Sequence, residues 1–184
     1  MIWTNSINGV KVRTLTPRED DRGVFVEIFR EEWQVGCAPV QWNVVHSKAN
    51  VLRGVHVHAE HTDYLVLISG KMLLGLHDLR PEQKKLRRSE IISLDADYPL
   101  AITIPPGVCH GFYFLENSVQ AHAVSSSWNL HDELGCRFDA PELRLDWPTK
   151  TPLMSKQDEV ASTYQDMTDQ FISACKTMQD GSDN

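Results

Sequence analysis

No run of about 18 apolar residues occurs in the 184-residue chain, which argues against a membrane-spanning helix. The opening MIWTNSINGVKV lacks a charged leader followed by an apolar core, so a cytoplasmic protein is expected. Basic runs are missing too. Lys and Arg number 18 against 25 Asp and Glu, a formal charge of −7, which disfavours nucleic-acid and membrane-surface partners. A local basic site for one small anion is still compatible with that balance. Cys37, Cys109, Cys136 and Cys175 include no Cys-x-x-Cys pair, so reduced thiols are expected. Internal repeats and low-complexity linkers are absent, and the length suits a single domain with a proper core.

What is present, from about residue 9 to 148, is a series of short apolar segments separated by turn signals. They include 24–29, 40–45, 64–69, 71–76, 100–104, 112–115 and 120–125, most rich in β-branched or aromatic residues. Gly23, Gly70, Asn117 and Pro105-Pro106-Gly107 mark bends. Many short strands without interleaved helices predict an all-β sandwich or barrel, here over 1–150. The tail, 151–184, changes period. Ser155 is a candidate N-cap, and Val160, Tyr164, Met167, Phe171, Ile172 and Cys175 recur at helical spacing. One amphipathic helix packed on the barrel is expected, ending before a frayed QDGSDN.

Within the apolar run 51–70 stand His56, His58, His61 and Asp63. Alternation on a strand puts His56 and His58 on one face, while His61, in A59-EHT-T62, reads as exposed loop. The spacing His56-x-His58-x4-Asp63-x6-Gly70, with Pro105-Pro-Gly107-x2-His110, resembles the paired motifs of the cupin superfamily. That resemblance implies a double-stranded β-helix, or jelly-roll barrel. It also implies one possible chemistry: His56, His58, Asp63 and His110 holding a divalent transition metal that acts as a Lewis acid.

A second resemblance covers more of the chain. The segments 21–27, 41–56, 104–112, 133–148 and 154–158 are similar to the dTDP-4-dehydrorhamnose 3,5-epimerase family, with NVLRG-x-His, Pro-x-Gly-x2-HGF and Asp-x-Pro-x3-Leu-x-Trp-Pro the most specific. This family is also a cupin barrel, but one that needs no cofactor. It implies a homodimer acting on a dTDP-4-keto-6-deoxyhexose by removing a proton α to the ketone, with C3 and/or C5 inverted. His56 falls at the catalytic base, Asp158 at its partner carboxylate and His110 at a second active-site histidine. Arg22, Phe25, Glu27, Gln41 and Arg53 fall at nucleotide-binding positions. A histidine base suits proton transfer near neutral pH, and guanidinium groups suit a diphosphate.

The sequence also departs from the family. Tyr64 replaces an active-site lysine and Leu74 a carboxylate one strand later, a charge pair that would vanish together if the two positions are neighbours. His122 stands where the general-acid tyrosine is expected, and Trp128 near the nucleotide-stacking aromatic. His122 or Tyr64 would then supply the acid. Three functions fit: an epimerase, a metal-binding cupin, or a barrel that binds a nucleotide sugar without turnover.

Overall fold

The computed structural model describes residues 2–4, 6–80, 88–127, 129 and 132–182. Its strands are β1 (Ile2–Thr4), β2 (Lys11–Thr14), β3 (Arg18–Asp20), β4 (Gly23–Phe25), β5 (Gln41–Ser47), β6 (Leu52–Val57), β7 (Asp63–Ser69), β8 (Lys71–Asp78), β9 (Ser89–Asp95), β10 (Leu100–Ile104), β11 (Val108–Phe114), β12 (Ser118–Val124) and β13 (Leu134–Gly135). Two sheets face each other: one of six strands, ordered β1-β2-β10-β7-β12-β5, and one of five, ordered β13-β6-β11-β8-β9. Every named pairing within them is antiparallel. The expected cupin-type jelly-roll is therefore the observed fold.

Alternation along the strands gives the barrel a polar end and an apolar one. On β7, Asp63, Leu65 and Leu67 share the inner face; the two leucines join the interior cluster while Asp63 lines a cavity. On β11, His110, Phe112 and Phe114 make the same transition. The outer face of the five-stranded sheet is covered by the tail, with Leu52, Val55, Cys109 and Tyr113 packed among Leu143, Trp147, Tyr164, Met167 and Phe171. The outer face of the six-stranded sheet packs Tyr64, Val66 and Ala123 under Leu15, Val35 and Phe29.

The segment 24–29 forms a strand only as far as Phe25. Val26, Ile28 and Phe29 instead pack on the outer face of the six-stranded sheet, against the cluster of Leu15, Val35, Tyr64, Val66 and Ala123. The tail is not one helix. Ser155 does cap a first turn, α1 (Lys156–Glu159), its Oγ accepting from the Asp158 N–H at 3.0 Å. The chain then leaves the helix, and Val160 is 81% exposed. It restarts as α2 (Tyr164–Ser182), where Thr163 Oγ1 accepts from the Asp166 N–H at 3.1 Å. Helical backbone continues through Gln179–Ser182, beyond the expected end. None of the described helices is long and apolar enough to cross a membrane.

Candidate active site

The polar end of the barrel opens into a cavity of about 330 Å³ lined from both sheets. β6 contributes Arg53 and His56, and the residue after it is His58. β11 gives His110, β7 Asp63, and β12 Gln120 and His122. Two glycines set this geometry. Gly54 has φ +109°, and a Cβ there would sit 2.8 Å from the His110 carbonyl oxygen, so only glycine lets β6 approach β11 this closely. Gly107, at φ +79°, turns the chain in the Pro-Pro-Gly bend that feeds β11, and its Cβ would meet Arg80 Cγ at 2.5 Å.

His56 and Asp158, 102 residues apart in sequence, meet with Nε2 2.8 Å from Oδ1. The α1 cap positions Asp158, which is buried. On the other side of the ring, His56 Nδ1 lies 3.2 Å from Glu133 Oε1. Burial disfavours the imidazolium, but the Asp158 hydrogen bond and the Asp158 and Glu133 charges outweigh it, so the His56 pKa is raised. Burial pushes the Asp158 carboxyl up while His56, Ser155 and the Gly54 N–H pull it down further, leaving it lowered.

Deeper in, one carboxylate is ringed by imidazoles. Asp63 Oδ1 accepts from His122 Nε2 at 2.8 Å and lies 3.7 Å from His61 Nε2. Asp63 Oδ2 lies 3.9 Å from both His58 Nε2 and His110 Nε2. Burial alone would raise the Asp63 pKa; the surrounding histidines hold it well below the usual range. Burial lowers His110 to about 3. It also lowers His58. Burial works against the His61 cation as well, yet the hydrogen bond to Asp132 and the nearby Asp63 carboxylate bring it to about 9. His61 is thus a buried ion-pair partner rather than part of an exposed loop. Its Nδ1 sits 2.7 Å from Asp132 Oδ2, and the same carboxylate accepts from the Ala59 and Glu60 N–H groups.

Other expectations meet a different geometry. Tyr64 points away from the cavity: it is fully buried on the outer face, donates to the Ile28 carbonyl at 2.6 Å and packs edge-on against Phe29 and Trp42. Alternation on β7 is the reason, since turning Asp63 inward turns Tyr64 outward. It does not reach the cavity as an acid. Leu74 lies in the interior cluster and Tyr64 in the outer one, so they are not neighbours. His56 lies outside the group of potential metal donors formed by His58, Asp63 and His110, because both its nitrogens face other carboxylates.

Of the expected nucleotide-binding residues, Arg53 lines the cavity, its Nε donating to Ser47 Oγ at 3.0 Å. Gln41 bonds Asn43 across the inner face of β5, and Asn43 rather than Gln41 lines the cavity. Arg22 and Phe25 project on the exposed β3–β4 hairpin, Arg22 paired with Asp20, while Glu27 pairs with Arg30; none of the three lines this cavity. Trp128 falls outside the described residues. Neither Asp132 nor Glu133 has a role that the sequence predicts. Both sit in a loop without periodicity, and their contacts with residues 56–61 are legible only in three dimensions.

An antiparallel barrel with imidazole–carboxylate couples in its open end defines a cupin-type protein with its titratable groups gathered in one cavity. The sequence model of the family described as dTDP-4-dehydrorhamnose 3,5-epimerase matches residues 4–166, and the chain belongs to that family, a family of isomerases. It is 30% identical to the dTDP-4-dehydrorhamnose 3-epimerase of Streptomyces niveus over 84% of this chain and 79% of that one. It is 27% identical to the spore coat polysaccharide biosynthesis protein SpsL of Bacillus subtilis, over 78% of this chain and 98% of SpsL. Among solved structures it resembles ChmJ, a 3'-monoepimerase from Streptomyces bikiniensis in complex with dTDP-quinovose, with TM-score 0.79, 26% identity and coverage of 93% and 98% of the two chains.

Proposed function

We propose that the protein epimerises a dTDP-4-keto-6-deoxyhexose at C3, C5 or both, in the cytoplasm, for the assembly of a polysaccharide or glycosylated metabolite. The observation that carries this reading is a pair of imidazole–carboxylate couples on opposite walls of one cavity: His56–Asp158 from the five-stranded side and His122–Asp63 from the six-stranded side. Inverting a carbon requires proton removal on one face and return on the other. With its Nε2–H donated to Asp158, neutral His56 keeps a lone pair on Nδ1, and substrate entering between Nδ1 and Glu133, 3.2 Å away, would bring the proton α to the ketone to that lone pair. The C–H electron pair moves into an enolate. Protonated His122, across the cavity, returns a proton to the other face of the carbon. Arg53 supplies the cavity's guanidinium for the diphosphate.

The protein is proposed to work as a homodimer. Edge strand β5 exposes Trp42 and Val44, and the β3–β4 hairpin exposes Val24 and Phe25. Pairing of these apolar surfaces would bring Arg22, Phe25 and Glu27 of a second copy toward a nucleotide they cannot meet within one subunit.

Incubation with dTDP-4-keto-6-deoxyglucose in D2O tests the reading, with deuterium at C3 and C5 read by mass spectrometry and NMR. Enzyme-dependent incorporation at either carbon is expected. Absence of label at both carbons would leave only another sugar as substrate or the non-catalytic binding role.

A further inference from the structure

Among the described residues, two buried side-chain polar atoms have no hydrogen-bond partner, Arg13 Nε and Gln120 Oε1. Arg13 belongs to the surface of another region, its guanidinium stacked on the Trp33 ring at 4.2 Å from the centroid. Gln120 lines the cavity that holds both imidazole–carboxylate couples. It is 1% exposed, and its partners across the sheet, Val45 on β5 and Leu67 on β7, offer the carboxamide only aliphatic side chains. A buried amide oxygen without a donor is costly, and methionine would fill the same space without that cost. The oxygen is placed for a donor that arrives with a ligand.

We propose that the Gln120 carboxamide hydrogen-bonds the C2 hydroxyl of a bound hexose and makes the site selective for sugars that carry it. This rests on the nucleotide-sugar reading above. Strand register places the residue. The β5–β12 ladder pairs Ser47 with Ser118, Val45 with Gln120 and Asn43 with His122. Arg53 is tied at the Ser47 level, its Nε donating to Ser47 Oγ at 3.0 Å. The inner face of the ladder therefore runs from the guanidinium, through Gln120, to His122, in steps of about 7 Å.

A nucleotide-linked 4-keto-6-deoxyhexose carries its groups in the same order: the diphosphate on C1, then C2, then C3 beside the ketone. Its ketone, ring oxygen and diphosphate only accept hydrogen bonds, and C6 is a methyl group, so the sugar's donors are the hydroxyls at C2 and C3. The C3 hydroxyl sits on a carbon that the reaction can invert, and one fixed contact would not serve both substrate and product. The C2 hydroxyl keeps its configuration throughout. A hydroxyl both donates and accepts, so it can meet either end of the carboxamide.

The test is isothermal titration calorimetry with dTDP-glucose, dTDP-2-deoxyglucose and dTDP on the wild-type protein, Gln120→Met and Gln120→Asn. Neither sugar has a ketone, so neither reacts. Wild type should bind dTDP-glucose about tenfold more tightly than the 2-deoxy sugar. Gln120→Met, which keeps the length of the side chain, should reduce that preference to less than about twofold and leave dTDP affinity unchanged. Gln120→Asn keeps the amide but withdraws it by one methylene; it should lose the preference too, and it carries the test should the methionine variant not fold. Equal binding of the two sugars by the wild-type protein overturns the proposal. A preference that survives in Gln120→Met also overturns it, leaving an amide satisfied by solvent alone, and so does a loss shared equally by all three ligands, the mark of a merely structural role. The preference, present in wild type and lost in the variants, but without deuterium exchange on the keto sugar, would sink the epimerase reading and keep the role of Gln120. Exchange without the preference would do the reverse.

Discussion

The two carboxylates of the cavity use the same chemistry in different amounts of water. At the mouth, His56 keeps 23% of its side-chain surface exposed against Asp158 at 8%. Inside, Asp63 is 2% exposed and faces His58, His61 and His110, at 6%, 4% and 3%. A half-wet couple can exchange protons with substrate and solvent. A dry one is held ionised only because several donors and dipoles surround it, so its task is to fix charge in place. His122, 19% exposed and bonded to Asp63, bridges the two regimes. Under the proposed mechanism, burial more than residue type separates the groups that move protons from those that hold charge.

The largest expected effect comes from removing the mouth imidazole. His56→Asn should lower deuterium exchange by about 10²–10⁴, the usual contribution of a general base, with the melting temperature little changed. Exchange within tenfold of wild type would mean that the base lies elsewhere. Asp63→Asn should act in the opposite sense, on the fold. It leaves the buried His61 cation with one carboxylate instead of two, and loss of one partner from a buried charge cluster costs about 3–5 kcal/mol. Denaturant unfolding measures this. A cost below about 1 kcal/mol would show that the inner ring is wetter than its burial implies.

Asp158→Asn sharpens the contrast through pH. The base works when neutral, so the acid limb of kcat/KM follows the pKa of His56, raised because the Asp158 bond and charge outweigh burial. Replacing the carboxylate by an amide removes the chief raising influence. The limb should therefore move to lower pH as the maximal rate falls. An unmoved limb would assign it to another group.

Much of the barrel is legible in the sequence because alternation and turn residues are local. Strands β7, β8, β10 and β12 fall close to the apolar runs that announce them. The His56–Asp158 pair is legible only through family resemblance, since no spacing rule links residues that far apart. Burial of His61 was not legible: Ala-Glu-His-Thr is polar enough for a loop, and it is buried because Asp132, from a distant segment, accepts its N–H and two main-chain N–H groups. Likewise the break at Val160 escapes periodicity, because Val160 and Tyr164 have helical spacing whether or not the backbone between them is helical. The side chain of Tyr64 fails by parity. Sequence similarity fixes which residue follows which, but a strand's facing depends on which of two neighbours the cavity takes.

That parity gives the smallest and most specific expectation. Tyr64 lies outside the cavity, its hydroxyl donating to the Ile28 carbonyl beneath Phe29 and Trp42, and burial pushes its pKa upward. Tyr64→Phe keeps the ring and the edge-on packing while deleting one hydrogen bond. It should cost about 0.5–1.5 kcal/mol of stability and leave deuterium exchange unchanged. His122→Gln, by contrast, should lower exchange about 100-fold. The two variants divide the notion of the acid between neighbouring strands, since Tyr64 pairs with Ala123, the residue after His122. If the phenylalanine variant lost exchange and the glutamine variant kept it, β7 would have to be turned over in solution, with Asp63 facing outward and the imidazole ring dismantled.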